Sequence, residues 1–308
     1  KKDASGKRRV ELEFIVPGSP EQIWAAMATG PGNSAWFTHT EIEEHVGGKV
    51  SFGFGEGVSS SGTVTTWEPP RRFGYEERGW SGEAPPLATE IVVTSRAGGK
   101  CVVRLVHSLF TSSDEWDDQM EGFEMGWPGF IEVLRVYLAN FVGQKAAPIR
   151  AMGACAGDQA GAWKLLGEKL GLSGADVGDV RAAPAGAPPF AGAVEIVQQN
   201  AKVREIMLRL NQPGPGVALM GVHPYDGRTH ASISMGPAVV WMDACARRQA
   251  RTAMAQLDGE DVSCRGGLAF DCTGRTSGKA LATLVPKRRS IVTQNAFAAR
   301  RRLRRAAA

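Results

Sequence analysis

No stretch of this 308-residue chain approaches the roughly 20 consecutive apolar residues that a helix needs to cross a bilayer. The opening KKDASGKRRVELEF lacks the apolar core of a signal peptide, so the cytoplasm is the expected compartment. Cysteine is sparse: Cys101, Cys155, Cys245, Cys264 and Cys272 form no CxxC pair, and no histidines group beside them. That spacing supports neither a disulfide framework nor zinc, and reduced, inert thiols are expected. Phosphate loops are missing as well. FGFGEG at 52–57 is followed by no GK[ST], and SCRGG and DCTGRTSGK near the end lack the strand–loop–helix setting such a loop requires. His39 and His45 share a strand face but stand six residues apart, too far to share a metal directly, so surface positions are expected. No metal site and no cofactor is expected.

What is present has the balance of a globular protein, 43% apolar and 22% charged, with length enough for two ordinary domains. Charge is uneven along it. Residues 1–150 hold 15 Lys/Arg against 20 Asp/Glu, and residues 151–308 hold 21 against 12. Much of the excess sits in KRR at Lys287–Arg289 and RRRLRR at Arg300–Arg305, with no acid after Asp271. A basic tail of this kind attracts nucleic acid or anionic lipid, or is simply a solvated end. Beyond Asp258 the text is rich in Gly, Ala and Arg without periodicity, so residues 258–308 are expected to be poorly ordered. From about Gly236 onward it also resembles what a shifted reading frame yields in GC-rich DNA.

The periodicities divide the rest. Val10–Val16 alternates as a strand, Pro17-Gly18 breaks it, and Ser19-Pro20-Glu21-Gln22 carries a capping box that opens a helix through Ile23, Trp24 and Met27. A second short turn ends at Trp36-Phe37. Strands are predicted at about Thr38–His45, Lys49–Gly55, Ser61–Trp67, Phe73–Arg78, Ala88–Ser95 and Cys101–Ser108, separated by Gly47-Gly48, Pro69-Pro70 and Gly98-Gly99. Then Phe123, Trp127, Phe130/Ile131, Leu134, Tyr137/Leu138 and Phe141 recur every three or four residues, one apolar stripe down a long helix. The acids of Asp114–Asp118 open it at the positive end of its dipole, and Pro128 lies inside it. Such a helix rests across a curved antiparallel sheet. A further helix is predicted near Asp158–Leu170, a linker at GADVGDVRAAPAGAPP, and strands at Ala193–Gln198, Arg204–Leu210, Gly216–Val222 and Thr229–Met235. Ala238–Leu257 would close this second unit.

This order, together with SPEQIWAAMATGPGNSAWF at Ser19–Phe37, VGGKVSFGFG at Val46–Gly55, WEPPRRFGYE at Trp67–Glu76, LVHSLF at Leu105–Phe110 and GWPGFIEVLRVYL at Gly126–Leu138, resembles the activator-of-heat-shock-protein-90-ATPase-like family. That family lies within the SRPBCC or START-like helix-grip superfamily, and the resemblance covers residues 8–142. It implies an α+β helix-grip fold, a curved antiparallel sheet wrapped around a long C-terminal helix, and a role in the stress response. The chain then divides into a helix-grip domain at 8–142, a helix and linker at 143–192, a possible reduced second α+β unit at 193–257, and the tail.

Strand alternation names the side chains that would face the helix. Met27, Trp36, Phe52, Phe54, Ile91, Leu105, Trp127 and Ile131 would line an apolar pocket, with Tyr75, Thr89 and His107 as its polar points. The same residues also read as a filled core. His107 could orient a ligand or move a proton, but general acid–base work needs a partner carboxylate. Glu90 and Glu76 face the other way, and Glu77, on the side of Tyr75, lies at the strand end. No catalytic residue is therefore assigned, and His107 reads as a cap with one satisfied hydrogen bond. The expected function is carriage or sensing of a small apolar or aromatic molecule. The alternatives are a co-chaperone-like protein-binding module and a cyclase or hydratase using the same cavity. No counterpart of the eukaryotic activator's partner-binding amino-terminal domain is expected here.

Overall fold

The computed structural model describes residues 8–55, 58–80, 84–111, 113–144, 149–187, 189–200, 203–225 and 228–236. The helix predicted at Ala238–Leu257, the basic tail and the question of what lies beyond Gly236 fall outside the described residues.

Strand β1 (Arg8–Pro17) ends at Pro17-Gly18, where the chain turns into α1 (Pro20–Ala28). The capping box read from the sequence is formed: Gln22 donates its backbone N–H to Ser19 Oγ at 3.4 Å, and Ser19 donates its own to Gln22 Oε1 at 2.9 Å. Two of the helix's otherwise unpaired N-terminal groups are thereby satisfied. Thr29 repeats the device for the short α2 (Gly30–Ser34), accepting from Gly32 N–H at 3.1 Å. Six strands follow: β2 (His39–Ile42), β3 (Lys49–Gly55), β4 (Val58–Glu68), β5 (Arg72–Glu77), β6 (Leu87–Arg96) and β7 (Lys100–Leu109). With β1 they form an antiparallel sheet in the order β1-β7-β6-β5-β4-β3-β2. A single 3-10 turn at Asp114–Trp116 leads into α3 (Asp117–Asn140). Arg8 anchors its start to β1 by donating to Ser113 O at 3.0 Å and pairing with Asp117. This is the helix-grip arrangement, and the sheet's buried face and α3 share one core.

The second sheet contains β8 (Ile149–Cys155), β9 (Val180–Ala182), β10 (Ala191–Gln199), β11 (Arg204–Gln212), β12 (Gly216–Tyr225) and β13 (Arg228–Gly236), in the order β8-β13-β12-β11-β10-β9. Helix α4 (Gln159–Leu170) starts at Asp158, whose carboxylate accepts from Gly161 N–H at 2.8 Å, and stops at Gly171 with φ 69°. That left-handed conformation costs glycine little, which makes it a ready helix terminator. From sequence, residues 143–192 carry only a helix and a linker, and β8 and β9 correct that expectation. IRAMGAC is too rich in Ala and Gly to show alternation. Its strand character comes from pairing with β13, as Met152 with Ser232, and β9 is three residues held against β10.

Alternation along β11 and β12 explains how the second sheet packs. Ile206, Leu208 and Leu210 join Ala218, Met220 and Val222 in a core with Ala162, Leu166 and Leu170 of α4. The opposite face turns Met207 and Val217, with Ile196 and Leu219 beside them, into the core that contains α3. Helix α3 therefore has a sheet on each side. At about 100° per residue, Gly129, Val136 and Asn140 lie on the side away from Trp127.

Candidate ligand site

The register of the first sheet sets the site. Val10 is opposite His107, His107 opposite Thr89, Thr89 opposite Tyr75, and Tyr75 opposite Val64. Residues in register on neighbouring strands point to the same face. The three polar side chains expected in the pocket are thus consecutive members of one rung running across β7, β6 and β5.

Hydrogen bonds give that rung a direction. Trp127 Nε1–H donates to His107 Nε2 at 2.7 Å, and His107 Nδ1 stands 2.9 Å from Thr89 Oγ1. An indole N–H can only donate, so Nε2 must accept and the neutral ring carries its proton on Nδ1, donating to Thr89. The Thr89 hydroxyl in turn faces Tyr75 across the rung and acts to lower the pKa of its hydroxyl. The imidazole lies between Phe123 and Trp127, with ring centroids 5.2 and 5.6 Å away. Burial in these aromatic surroundings, with His107 only 3% exposed, holds its pKa down to about 4. It is neutral near pH 7, with both nitrogens committed.

Two residues on from Tyr75 along β5, opposite Leu87 on the neighbouring rung, lies a carboxyl group. Glu77, 7% exposed, accepts from the Ser60 hydroxyl. Burial pushes its pKa up, and the Ser60 bond opposes that shift. Burial also raises the Tyr75 hydroxyl, the charge of Glu77 adds to the effect, and the Thr89 hydroxyl works against it. Strand-end position argues against Glu77 in the sequence. Its alternation onto the side of Tyr75 is the usable signal, and Ser60 falls just outside the predicted strand.

Met27, Trp36, Phe52, Tyr75, Ile91, Leu105 and Ile131 are all buried in the core beneath α3, with Phe54 and Trp127 half-buried against it. Trp36 is tied in place by donating Nε1–H to Ala26 O at 2.9 Å. Among the described residues the expected lining is dense with aromatic rings in mutual contact. Phe37, absent from the residues selected by alternation, is the hub. It stacks on Trp127 with centroids 5.4 Å apart and planes at 15°, and meets Phe52, Phe54 and Phe130 edge to face. Phe37, Phe54, Trp127 and Phe130 are half-buried, and the cluster joins the polar rung through the Trp127–His107 bond. His39 and His45 are exposed, and His39 pairs with Glu41 at 3.8 Å. No group of three or more metal-ligating side chains occurs among the described residues.

Residues 17–139 match the family described as Activator of Hsp90 ATPase homolog 1-like protein, and that segment is of this type. No curated protein matches the chain. Similar solved structures include a Mesorhizobium loti protein, 22% identical over 44% of this chain and 98% of that one, with a TM-score of 0.40. A putative protein of the dynemicin biosynthetic locus is 16% identical over 81% of this chain and 95% of that one, with a TM-score of 0.39. The Aha1 dimer from Colwellia psychrerythraea is 21% identical over 42% and 96%, with a TM-score of 0.35.

Proposed function

We propose that residues 8–142, acting as one helix-grip domain, bind a small apolar or aromatic molecule between the first sheet and α3, as a carrier or sensor. The observation that carries this reading is the half-buried ring cluster of Phe37, Phe54, Trp127 and Phe130 joined to a buried polar rung through the Trp127–His107 bond. A flat ligand enters by replacing the Phe37–Trp127 stack with its own ring, keeping the aromatic contacts those rings already make. Tyr75 and the Glu77 carboxyl then meet its polar end.

The same geometry disfavours a reaction centred on His107. Its Nε2 lone pair accepts from Trp127 and its low pKa leaves little protonated imidazole near pH 7, so it serves neither as acid nor as free base. Its work is to hold Trp127 and Thr89 in place.

The test uses the full-length protein and N-phenyl-1-naphthylamine, an uncharged aromatic probe. Saturable 1:1 fluorescence enhancement is expected below the melting transition, weakened at least tenfold by Trp127→Ala. Native mass spectra of protein purified from cells are expected to show a bound small molecule. Probe binding that appears only on heating, with no adduct in the spectra, would sink the ligand reading and favour a protein-binding module.

A further inference from the structure

We infer that the groove between the outer side of α3 and strands β10 and β11 is a second binding site, built for a small organic anion with an apolar body, such as a medium-chain carboxylate. The groove is open to solvent and has a volume of about 500 Å³, within the size range of small-ligand sites. It lies across α3 from the aromatic cluster, because Val136 and Ala139 line it while Trp127 faces the other sheet.

Its walls have complementary chemistry. Arg135 of α3 and Arg209 of β11 both line it, one arginine from the helix wall and one from the strand wall. Each is braced on one edge. Arg135 donates Nε–H to Ile15 O at 2.9 Å and pairs through Nη1 with Glu132, while Arg209 donates Nε–H to Glu195 Oε1 at 2.6 Å. A guanidinium has five N–H donors in a fixed fork. Among the described residues, Nη2 of Arg135 and both Nη groups of Arg209 have no partner. Bracing the inner edges orients the forks and lowers the entropy lost when an anion is clamped.

The remaining lining selects the rest of the ligand. Pro17, Val136 and Ala139 supply apolar surface along the groove, and Glu195 is the one acid in the lining. Glu195 in the lining and Glu132, paired with Arg135 beside it, already balance the two arginines, which leaves no surplus charge for a phosphate dianion. Partial burial lowers the pKa of Arg135, a sign that its charge is under-solvated, and a desolvated cation gains more from a paired carboxylate than an exposed one does. A planar carboxylate can bridge the two forks while its chain lies on Val136 and Ala139.

Isothermal titration of the full-length protein with decanoate, against decanol as its uncharged counterpart, tests the site. Decanoate is expected to bind 1:1 and decanol at least tenfold more weakly. Arg135→Gln with Arg209→Gln should remove that preference. Ala139→Trp fills the groove from an exposed position on α3, so it should abolish decanoate binding while N-phenyl-1-naphthylamine still binds under the other face of the helix. Equal affinity for decanoate and decanol, decanoate binding unchanged by Ala139→Trp, or no decanoate binding by the intact chain would each overturn the proposal.

Discussion

At the scale of single residues, His107 gives the sharpest expectation. Trp127 fixes its tautomer and burial its charge. Nitrogen-15 NMR should find Nδ1 protonated, Nε2 bare, and no titration above about pH 5. A ring titrating at its ordinary value near 6.5, or protonated on Nε2, contradicts the arrangement. The energetic sign follows: the unfolded chain takes up the His107 proton below about pH 6.5, while the folded chain refuses it until about pH 4. Stability supplied by this group is therefore complete above pH 6.5 and falls as pH drops toward 4. Trp127→Phe keeps a ring but leaves Nε2 buried and unpaired, at a cost of about 1–3 kcal/mol.

Glu205 behaves in the opposite sense. Burial pushes its carboxyl up to about 7, so the folded protein binds a proton more tightly than the unfolded chain. Its favourable contribution is complete below the ordinary carboxyl value and is lost as pH rises through 7. A shift of this size corresponds to about 3 kcal/mol at most, and solvent access to a half-buried carboxyl trims it to roughly 1–2. Glu205→Gln should flatten the stability profile between pH 5 and 8, read from urea unfolding at each pH. A wild-type curve already flat over that range would disprove the assignment.

At the scale of elements, α3 is the part that two sheets share. Gly129 lies where β11 presses on it, and a Cβ there would come 2.8 Å from both Glu205 carboxylate oxygens. In a helix interior Gly→Ala ordinarily stabilises by about 1 kcal/mol. Here the gain should appear in full only when the carboxylate is removed. Gly129→Ala is expected to stabilise an E205A background by about 0.5–1 kcal/mol and the wild type by less. Equal effects in both backgrounds would mean that Glu205 does not sit on the helix.

The first sheet and the Trp127 side of α3 were legible because local signals agreed there: alternation, turn glycines, the Ser19–Gln22 cap and the recurrence from Phe123 to Phe141. The second side of α3 was not. Gly129 and Asn140 are not apolar, so nothing in the periodicity announces that Met207 and Val217 cover that side. Strand β8 was hidden for a related reason, since Ala151, Gly153 and Ala154 gain their strand geometry from β13 rather than from propensity. In the candidate site, the rung of His107, Thr89 and Tyr75 could be read from alternation within each strand. Phe37 could not, because it precedes β2 in a turn where side-chain direction has no period.

At the scale of the molecule, Met207 and Val217 bind the fate of the second sheet to that of the first. Met207→Ala, in a position 1% exposed, should cost about 2–5 kcal/mol and lower a single melting transition followed both by tryptophan fluorescence and by far-ultraviolet dichroism. Two separated transitions would show units that unfold independently.

The ligand site under α3 is tested most directly by a titration of the tryptophan indole N–H signals. In full-length nitrogen-15-labelled protein, adding N-phenyl-1-naphthylamine should shift the Trp127 Nε1–H resonance saturably, because the probe disturbs its stack with Phe37 and its bond to His107. The Trp163 resonance, on α4 beyond the second sheet, should stay where it is. A Trp127 signal that does not move at saturating probe, or one that moves only together with Trp163, would contradict binding between the first sheet and its helix.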